Sequence, residues 1–351
     1  MNEPAVCNNQ ERNVLIKAEQ KDTPLLSMIV ATDDTYSTVS RTVSFLSRQT
    51  VLEQIELIVS CSSIAELNPV LSELEKFASY QIVECSNPTN SGQLVATAIK
   101  AARAPAFMYC EEHGFPPPGT AEVVIRELVV NKRQALGFGM EPSNPGLVAW
   151  SHIYGQFGIA VAPVSKGLVQ SFGGHHAAYR TELLLSYSDD LSEIMANEAV
   201  LHEHLRNLGA EMYMTSEVIL PHAQISNFFI HVYHEYLAQR VFASARARIL
   251  NWSLARRLVY VFGSPLIPFL RTGRAVHHIH RTGRSRKLLP QILPVMFVAH
   301  VAGAIGEALG YMFGAGEKIN YARMEIELDR YAFVNAADRD RAKQKKYLAK
   351  D

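Results

Sequence analysis

The first half of the chain alternates apolar runs with helix-like segments, and this alternation limits the folds open to it. Continuous apolar runs are typical of strands buried on both faces of a parallel sheet. Four such runs occur here: Leu25–Ala31, Ile55–Ser60, Tyr80–Cys85 and Ala106–Glu111. Strand–helix alternation with short connections predicts an α/β fold with a mostly parallel sheet and helices on both of its faces.

The second half of the chain is predicted to be mostly helical. One further strand, "AEMYMTSEVIL", ends just before Pro221 and His222. A long amphipathic helix begins at "SNFFIHVYHEYL", and we expect its His231 and His234 to lie on the surface, because neither has a carboxylate or cysteine at ligand spacing. We therefore expect a flexible tail over 1–23, an α/β domain over 24–235, a helical region over 236–335 and a charged tail over 336–351.

Charge is distributed unevenly along the chain. The whole sequence has 34 basic and 34 acidic residues, but no Asp or Glu lies between Tyr236 and Gly306, where eleven Lys and Arg residues are found. The remainder keeps 23 basic against 34 acidic residues. An acidic body with a basic, apolar C-terminal part predicts contact with an anionic membrane surface, and no nucleic-acid partner.

Two apolar stretches lie in or beside the basic interval. Leu258–Leu270 has 13 residues, too few for a spanning helix of about 20, and Leu288–Gly316 is interrupted by Pro290 and Pro294. Both fit helices that lie in the membrane interface. The alternative is that they pack on the globular domain as ordinary core helices. Their position predicts a peripheral or monotopic protein at the cytoplasmic face of the cell membrane.

The cysteines and the N-terminal segment favour a cytosolic environment. Cys7, Cys61, Cys85 and Cys110 form no CxxC pair and are predicted to be reduced thiols. The first 22 residues are polar and lack the apolar core of a signal peptide.

The segment "MYCEEHGFPPPG" places two carboxylates and a histidine at the end of the fourth predicted strand. In open α/β sheets ligands bind at the carboxyl ends of the strands, which favours a functional role for this turn. A metal site, proton chemistry and a simple solvated turn are all compatible with these residue types.

Four segments, in order, resemble the family 2 glycosyltransferases over roughly residues 24–225. They are "LLSMIVATDDTYSTVSRTVSFLSRQT…QIELIVSCSS", "TNSGQLVATAIKAARAPAFMYCEEHGFPPPG", "FGGHHAAYR" and "NEAVLHEHLRNLG". The resemblance implies a GT-A fold and inverting transfer of a sugar from a nucleotide-sugar donor to a saccharide or lipid-linked acceptor. It also implies a divalent cation, Mn²⁺ or Mg²⁺, that stabilises the diphosphate leaving group.

The resemblance assigns roles residue by residue. The implied donor-binding residues are Thr32, Asp33, Asp34, Ser60, Ser62, Gly92, Glu111 and Glu112. The implied metal ligands are His113, at the second acidic position of the family's DxD motif, and His222. The implied catalytic base is Glu198, with Asp190, Asp189 and Glu193 as runners-up. The implied acceptor side comprises Gly174, His175, His176, Tyr179 and Arg180.

The chain departs from the family pattern at three places. Ser60–Ser63 stand where the family has one or two Asp residues, Ala98 replaces an Asn, and His113 replaces an acid. Imidazole suits Mn²⁺, Fe²⁺, Co²⁺ or Zn²⁺ better than Mg²⁺. The departures leave open a catalytically silent GT-A domain that acts as a scaffold in a polysaccharide assembly complex. A nucleotidyltransferase is disfavoured, because "TDDTYS" lacks the Gly-rich loop and basic residue expected after the first strand.

Overall fold

The computed structural model of the protein describes residues 14–16, 23–172, 177–187 and 190–336. Its strands are β1 (Val14–Ile16), β2 (Leu26–Thr32), β3 (Ile55–Cys61), β4 (Ser79–Glu84), β5 (Ala106–Tyr109), β6 (Ala135–Pro142), β7 (Gly167–Leu168), β8 (Ala178–Arg180) and β9 (Met212–His222). Its first nine α-helices are α1 (Tyr36–Leu46), α2 (Ile64–Leu67), α3 (Leu71–Leu74), α4 (Ser91–Ala101), α5 (Thr120–Val124), α6 (Leu147–Phe157), α7 (Thr181–Leu185), α8 (Leu191–Ala196) and α9 (Glu198–Asn207).

The C-terminal part is helical. Its helices are α10 (Phe228–Ile249), α11 (Leu254–Gly263), α12 (Ile267–Arg281), α13 (Ser285–Phe313) and α14 (Glu317–Leu328). A π-helical segment, Ile125–Val130, continues α5, and short 3₁₀ turns cover Leu52–Gln54, Ser264–Leu266 and Arg330–Phe333.

The described strands form one sheet in the order β1-β4-β3-β2-β5-β8-β6-β9-β7. The long ladders, β2 with β3 and β5, β3 with β4 and β6 with β9, are all parallel. Antiparallel pairing is confined to the short strands β1, β7 and β8. The predicted α/β class, with a mostly parallel sheet flanked by helices, is confirmed.

Both faces of the central strands are buried, as their continuous apolar sequences predict. Along β2, Met28 and Val30 belong to the hydrophobic cluster on one face, whereas Ile29 and Ala31 belong to the cluster on the other. The first cluster includes residues of α1 and α6, and the second includes residues of α4, α8 and α9. The parallel strands therefore end together at one edge, between two helical layers.

Three local expectations differ from the structure. The segment "SIAELNPVLSELEKFA", which its pattern predicts to be one helix with a Pro near its first turns, forms two short helices, α2 and α3. Pro69 disfavours the helical region for Asn68, which takes a φ of 49°. β9 runs on through Pro221 and His222. β1 lies inside the segment expected to be a flexible tail, and it pairs with β4.

The long helix α10 packs against α6, α9, α13 and α14. His231 and His234 are consequently buried, 1% and 3% exposed, so the prediction that they lie on the surface was wrong. The partner of His234 comes from a neighbouring helix, because His234 Nε2 lies 2.7 Å from Glu327 Oε1 of α14.

Within the described residues, α13 is the one helix long and apolar enough to cross a membrane by length and composition. Only 33% of its most apolar stretch is buried. The buried side packs on α10 so closely that a Cβ at Gly306 would lie 2.2 Å from the Tyr236 carbonyl oxygen. The helix is thus docked on α10 along one side and exposed along the other.

Candidate functional site

The loop after β5 is tied to the end of β9. Cys110 N donates to Ile29 O of β2 at 2.7 Å, and Phe115 N donates to Pro221 O at 3.0 Å. Ala223 N donates to His113 O at 2.8 Å, and Gly114 forms a β-bridge with His222. The backbone thereby brings residues 111–113 beside His222, more than a hundred positions later in the chain.

Glu111, His113 and His222 form a buried cluster in this place. Glu111 Oε2 lies 3.2 Å from His113 Nε2 and 3.0 Å from His222 Nε2, and one ligand atom from each residue lies within 4.8 Å of the others. All three are at most 2% exposed. Gln224, two residues after His222 on the same extended segment, contacts His222 Nδ1 through its side-chain nitrogen at 2.5 Å and orients the ring.

Carboxylates lie beside both ring nitrogens of His113. Glu112 Oε2 lies 2.7 Å from His113 Nδ1, and Glu112 Oε1 accepts a hydrogen bond from the backbone N–H of Arg330 at 2.7 Å. Burial alone would lower the pKa of His113, but Glu112 and Glu111 outweigh it and raise the pKa to about 9. The imidazole is therefore positively charged at neutral pH in the absence of a metal, and a bound cation would take the place of one of its protons.

The donor set fits a divalent transition metal. One carboxylate and two imidazoles, with three ligand atoms close together, suit Mn²⁺, Fe²⁺, Co²⁺ or Zn²⁺ more than Mg²⁺. Glu112 contacts the second nitrogen of the His113 ring, the position from which an accepting carboxylate orients a metal-binding histidine.

Glu198 is the first residue of α9, and it is 2% exposed. Tyr179 of β8 donates its hydroxyl hydrogen bond to Glu198 Oε1 at 3.4 Å, and His202 Nε2 lies 2.9 Å from the same hydroxyl. After burial, the charges of Glu111, Glu112, Glu327 and Glu198 raise the pKa of Tyr109 well above its usual value. The charges of Glu198 and of Glu111 thus both act on Tyr109, the last residue of β5.

The remaining catalytic candidate, Asp190, precedes α8 at the surface. Its side chain is about half exposed, with Oδ1 3.6 Å from Arg248 Nη2. Glu193 also pairs with Arg248. Asp189 lies outside the described residues.

The donor-side residues lie at adjacent strand ends. Thr32 ends β2 opposite Cys61 of β3, and its Oγ1 accepts a hydrogen bond from Asp34 N at 3.1 Å. Ser62 Oγ donates to Asp33 O at 3.5 Å. Burial raises the pKa of Asp33, against the lowering effect of Ser62 and with repulsion from Asp34. Ser60 is fully buried, and its Oγ has no hydrogen-bond partner among the described residues.

Gly92 lies in the first turn of α4, whose N-cap is the side chain of Asn90. α8 packs directly over it, because a Cβ at Gly92 would lie 1.8 Å from Ser192 O. The glycine permits this helix–helix approach, whatever its relation to a donor.

The acceptor-side residues are described only in part. Gly174, His175 and His176 lie outside the described residues. Tyr179 contacts Glu198 and His202 as stated above, and Arg180 Nη2 lies 2.6 Å from Glu182 Oε1.

A cavity of about 600 Å³ adjoins Glu198. Ser171, Asn197, Glu198 and Arg206 line it from the α/β side, and residues of α10, α12, α13 and α14 line it from the other. Because six of its lining residues are arginines, it is called here the arginine-lined cavity. The sequence contains no local signal for it, since its two walls lie far apart along the chain. Gln224 lies two residues after His222, just beyond the end of β9.

No protein-family model and no curated protein matches this chain. Solved structures do. The mannosyltransferase PcManGT from Pyrobaculum calidifontis in complex with GDP-Man and Mn²⁺ is 15% identical, with 93% of this chain and 86% of that chain covered and a TM-score of 0.46. S. aureus TarS 1–349 in complex with UDP is 14% identical, with coverage of 82% and 90% and a TM-score of 0.44. Both likenesses are distant.

Proposed function

We propose that this protein is a metal-assisted, inverting glycosyltransferase of the GT-A type. It transfers a sugar from a nucleotide-sugar donor to a saccharide or lipid-linked acceptor at the cytoplasmic face of the membrane. The observation that carries the proposal is the buried cluster of Glu111, His113 and His222 at the carboxyl ends of β5 and β9. This is the place in an α/β sheet where ligands bind.

Each group has a defined task in this reaction. Glu111, His113 and His222 would hold a divalent cation, which stabilises charge on the departing diphosphate. Glu198 accepts the proton of the acceptor hydroxyl as that oxygen attacks the anomeric carbon. Tyr179 donates to Glu198 and is bonded to His202, so the carboxylate is held in one orientation. Glu112 holds the His113 ring from its second nitrogen.

The membrane location is supported by an exposed apolar surface on the C-terminal helices. Phe262 is 79% exposed, Phe269 65% and Leu254 71%, and α11 has no buried residue. Exposed apolar patches of this kind, flanked by cations, mark contact with a membrane or a partner. This apolar face, defined by α11, the first turns of α12 and the outer side of α13, is proposed to lie in the membrane interface.

A binding experiment tests the proposed activity. Calorimetric titration of a panel of nucleotides and nucleotide sugars, with and without Mn²⁺, should reveal one nucleotide that binds with the metal. We expect His113→Ala to lose this metal-dependent binding while the protein stays folded, because one imidazole of the cluster is removed. His277→Ala, at an exposed histidine of α12, is the matched control and should bind as the wild type does. Unchanged Mn²⁺–nucleotide affinity in His113→Ala would refute the metal assignment.

A catalytically silent scaffold is the second candidate. The observation that favours it is the covering of the donor-side strand ends: Gly92 lies under α8, and Glu112 is engaged by the backbone of Arg330. The same titration separates the two, since a scaffold should bind no nucleotide in either condition.

A further inference from the structure

The arginine-lined cavity carries more positive charge than its own carboxylates balance. Four glutamates line it, against six arginines. The arginines are Arg206, Arg246, Arg271, Arg274, Arg323 and Arg330. The glutamates are Glu198, Glu203, Glu307 and Glu327. A cavity with an excess of guanidinium groups favours an anion.

Three of the arginines have a carboxylate partner in the cavity wall. Arg246 makes two contacts with Glu203, at 2.8 and 3.1 Å. Arg330 Nη2 lies 2.5 Å from Glu327, and Arg323 Nη2 lies 3.7 Å from it. These pairs build the wall of the cavity.

Arg271 and Arg274, one turn apart on α12, make fewer close contacts with carboxylates of the described residues. Arg271 Nη1 lies 3.6 Å from Glu235 Oε2 but is buried without a hydrogen-bond partner in the described part of the chain. Arg274 makes no hydrogen bond or ion pair with any residue that the structure describes. Residues three apart on a helix lie on one face, so the two guanidinium groups can converge on one ligand.

Two further buried donors lie in the same wall. Arg330 is 1% exposed and Arg323 is 7% exposed, and among the described residues Arg330 Nη1 and Arg323 Nε have no hydrogen-bond partner. A buried guanidinium donor without a partner is costly. The guanidinium fork matches phosphate oxygens two at a time, so a phosphate would satisfy these donors.

Another part of the cavity wall is apolar and reaches the surface. Phe242, Tyr260, Ile267 and Leu270 line it. Leu270 is also 59% exposed and stands next to the exposed Phe269, on the apolar face of the C-terminal helices. The cavity thus connects that apolar face with Glu198.

We infer that the arginine-lined cavity binds a phosphorylated amphiphile, and that the acceptor is a saccharide carried on such a lipid phosphate. This rests on the proposed function and names the acceptor class for it. Arg271 and Arg274 hold the phosphate, and the apolar wall from Ile267 to Leu270 holds the first part of the lipid chain. A nucleobase could stack on Phe242 or Tyr260 but leaves the aliphatic side chains of Ile267 and Leu270 unmatched, whereas a lipid phosphate matches both the arginines and these side chains.

The chemical step follows from this placement. A hydroxyl of the lipid-borne saccharide forms a new bond to the anomeric carbon of the donor sugar. The bond from that carbon to the nucleoside diphosphate breaks, and the diphosphate leaves with the electron pair. The hydroxyl proton passes to Glu198, which lines the cavity.

The test is a calorimetric titration of the full chain in detergent with farnesyl phosphate. We expect binding by the wild type and a loss of roughly 10- to 100-fold in affinity for the double variant Arg271→Gln/Arg274→Gln, as for lost charge-assisted hydrogen bonds. Inorganic phosphate and farnesol should each bind far more weakly, because each matches one part of the cavity only.

Two further variants control the experiment. Lys100→Gln/Lys318→Gln removes the same charge from exposed positions and should bind as the wild type does. Arg271→Lys/Arg274→Lys keeps the charge but loses the guanidinium fork, and it should bind with intermediate affinity. The Arg271→Lys/Arg274→Lys variant also tests the inference if the Arg271→Gln/Arg274→Gln variant does not fold. Equal affinity in wild type and Lys variant, or an equal loss in the surface-lysine control, would overturn the inference.

The inference and the proposed function can fail separately. If a nucleotide binds with Mn²⁺ but farnesyl phosphate does not bind, the acceptor inference is wrong and the activity stands. If farnesyl phosphate binds but no nucleotide does, the lipid-phosphate site stands without the transferase. If the Arg271→Gln/Arg274→Gln variant loses nucleotide affinity instead, the cavity holds the donor diphosphate and the inference is overturned.

Discussion

Glu198 combines two properties that point to different roles. It opens α9, where an acidic side chain is stabilised by the helix dipole, so it could be a simple capping acid. It is also almost fully buried beside Tyr179 and faces the arginine-lined cavity, where an acceptor hydroxyl could reach it. Burial of a carboxylate lowers the stability of the protein unless hydrogen bonds compensate for it. Capping a helix does not require such burial, so the position of Glu198 at the cavity favours the catalytic role.

Substitution of Glu198 separates the roles. We expect Glu198→Gln to keep donor affinity, because the amide has nearly the same shape and the metal-ligand candidates are other residues. Transfer should fall by roughly 10²–10⁴-fold, the usual contribution of a positioned base. If Glu198 is only a capping acid, turnover should barely change and stability should fall by about 0.3–1 kcal/mol.

Donor affinity, melting temperature and turnover should be measured on the same preparation of this variant. Normal turnover would move the base to Asp190, Asp189 or Glu193. Lost donor affinity would assign Glu198 to the donor site instead.

At the scale of elements, the contact between α10 and α13 holds the C-terminal helices in place. Gly306 and Gly310 of α13 face the carbonyl oxygens of Tyr236 and Arg240, and a Cβ would lie 2.2 and 2.4 Å from them. Backbone cannot move aside as a side chain can. The two glycines therefore set the distance between the helices.

A pair of glycine substitutions tests this contact. Gly306→Ala should destabilise the protein by about 1–3 kcal/mol, the usual cost of overpacking. Gly273→Ala on α12, where no atom lies within 4 Å of the added Cβ, should instead stabilise it by about 0.5–1 kcal/mol through helix propensity. Denaturant unfolding of both variants gives the two signs. A neutral Gly306→Ala would mean that α10 and α13 do not approach this closely.

At the scale of the whole molecule, charge and apolar exposure are concentrated in the same part. The interval from Tyr236 to Gly306 contains eleven cations and no acidic residue. α11, the 3₁₀ turn after it and the start of α12 expose Phe262, Leu266 and Phe269 there. Each cation near an anionic leaflet contributes about 1 kcal/mol at low salt, and apolar burial adds a part that salt does not screen.

Vesicle flotation tests the proposed membrane contact. We expect the protein to float with vesicles that contain phosphatidylserine, and less so at high salt, because the electrostatic part is screened. Phe262→Ser/Phe269→Ser should reduce flotation at both salt concentrations. Phe229→Ser removes an equally exposed phenylalanine, 79% exposed, from the start of α10 and should float normally. Equal recovery in the soluble fraction with and without phosphatidylserine would rule the contact out.

The sequence by itself determined the class of the fold and the position of the acidic turn. Continuous apolar runs require burial on both faces, and short helical connections between them favour parallel pairing. Those are local patterns, so β2, β3, β4 and β5 could be predicted within a few residues, and Glu111–His113 could be placed at a strand end. Pro69 is a local signal for the break between α2 and α3, whereas the prediction placed this proline inside the first turns of one helix.

Tertiary structure decided everything that depends on partners remote along the chain. His222 reaches Glu111 only because β9 and the β5 loop are bridged, and Gly92 is covered only because α8 packs on α4. Spacing on one helix predicted surface positions for His231 and His234. That prediction was wrong, because spacing carries no information on the helices packed around α10. The arginine-lined cavity is likewise a product of two distant walls. Helical and strand periodicity reveal which face of an element is apolar, whereas the neighbour that covers it is set by long-range packing.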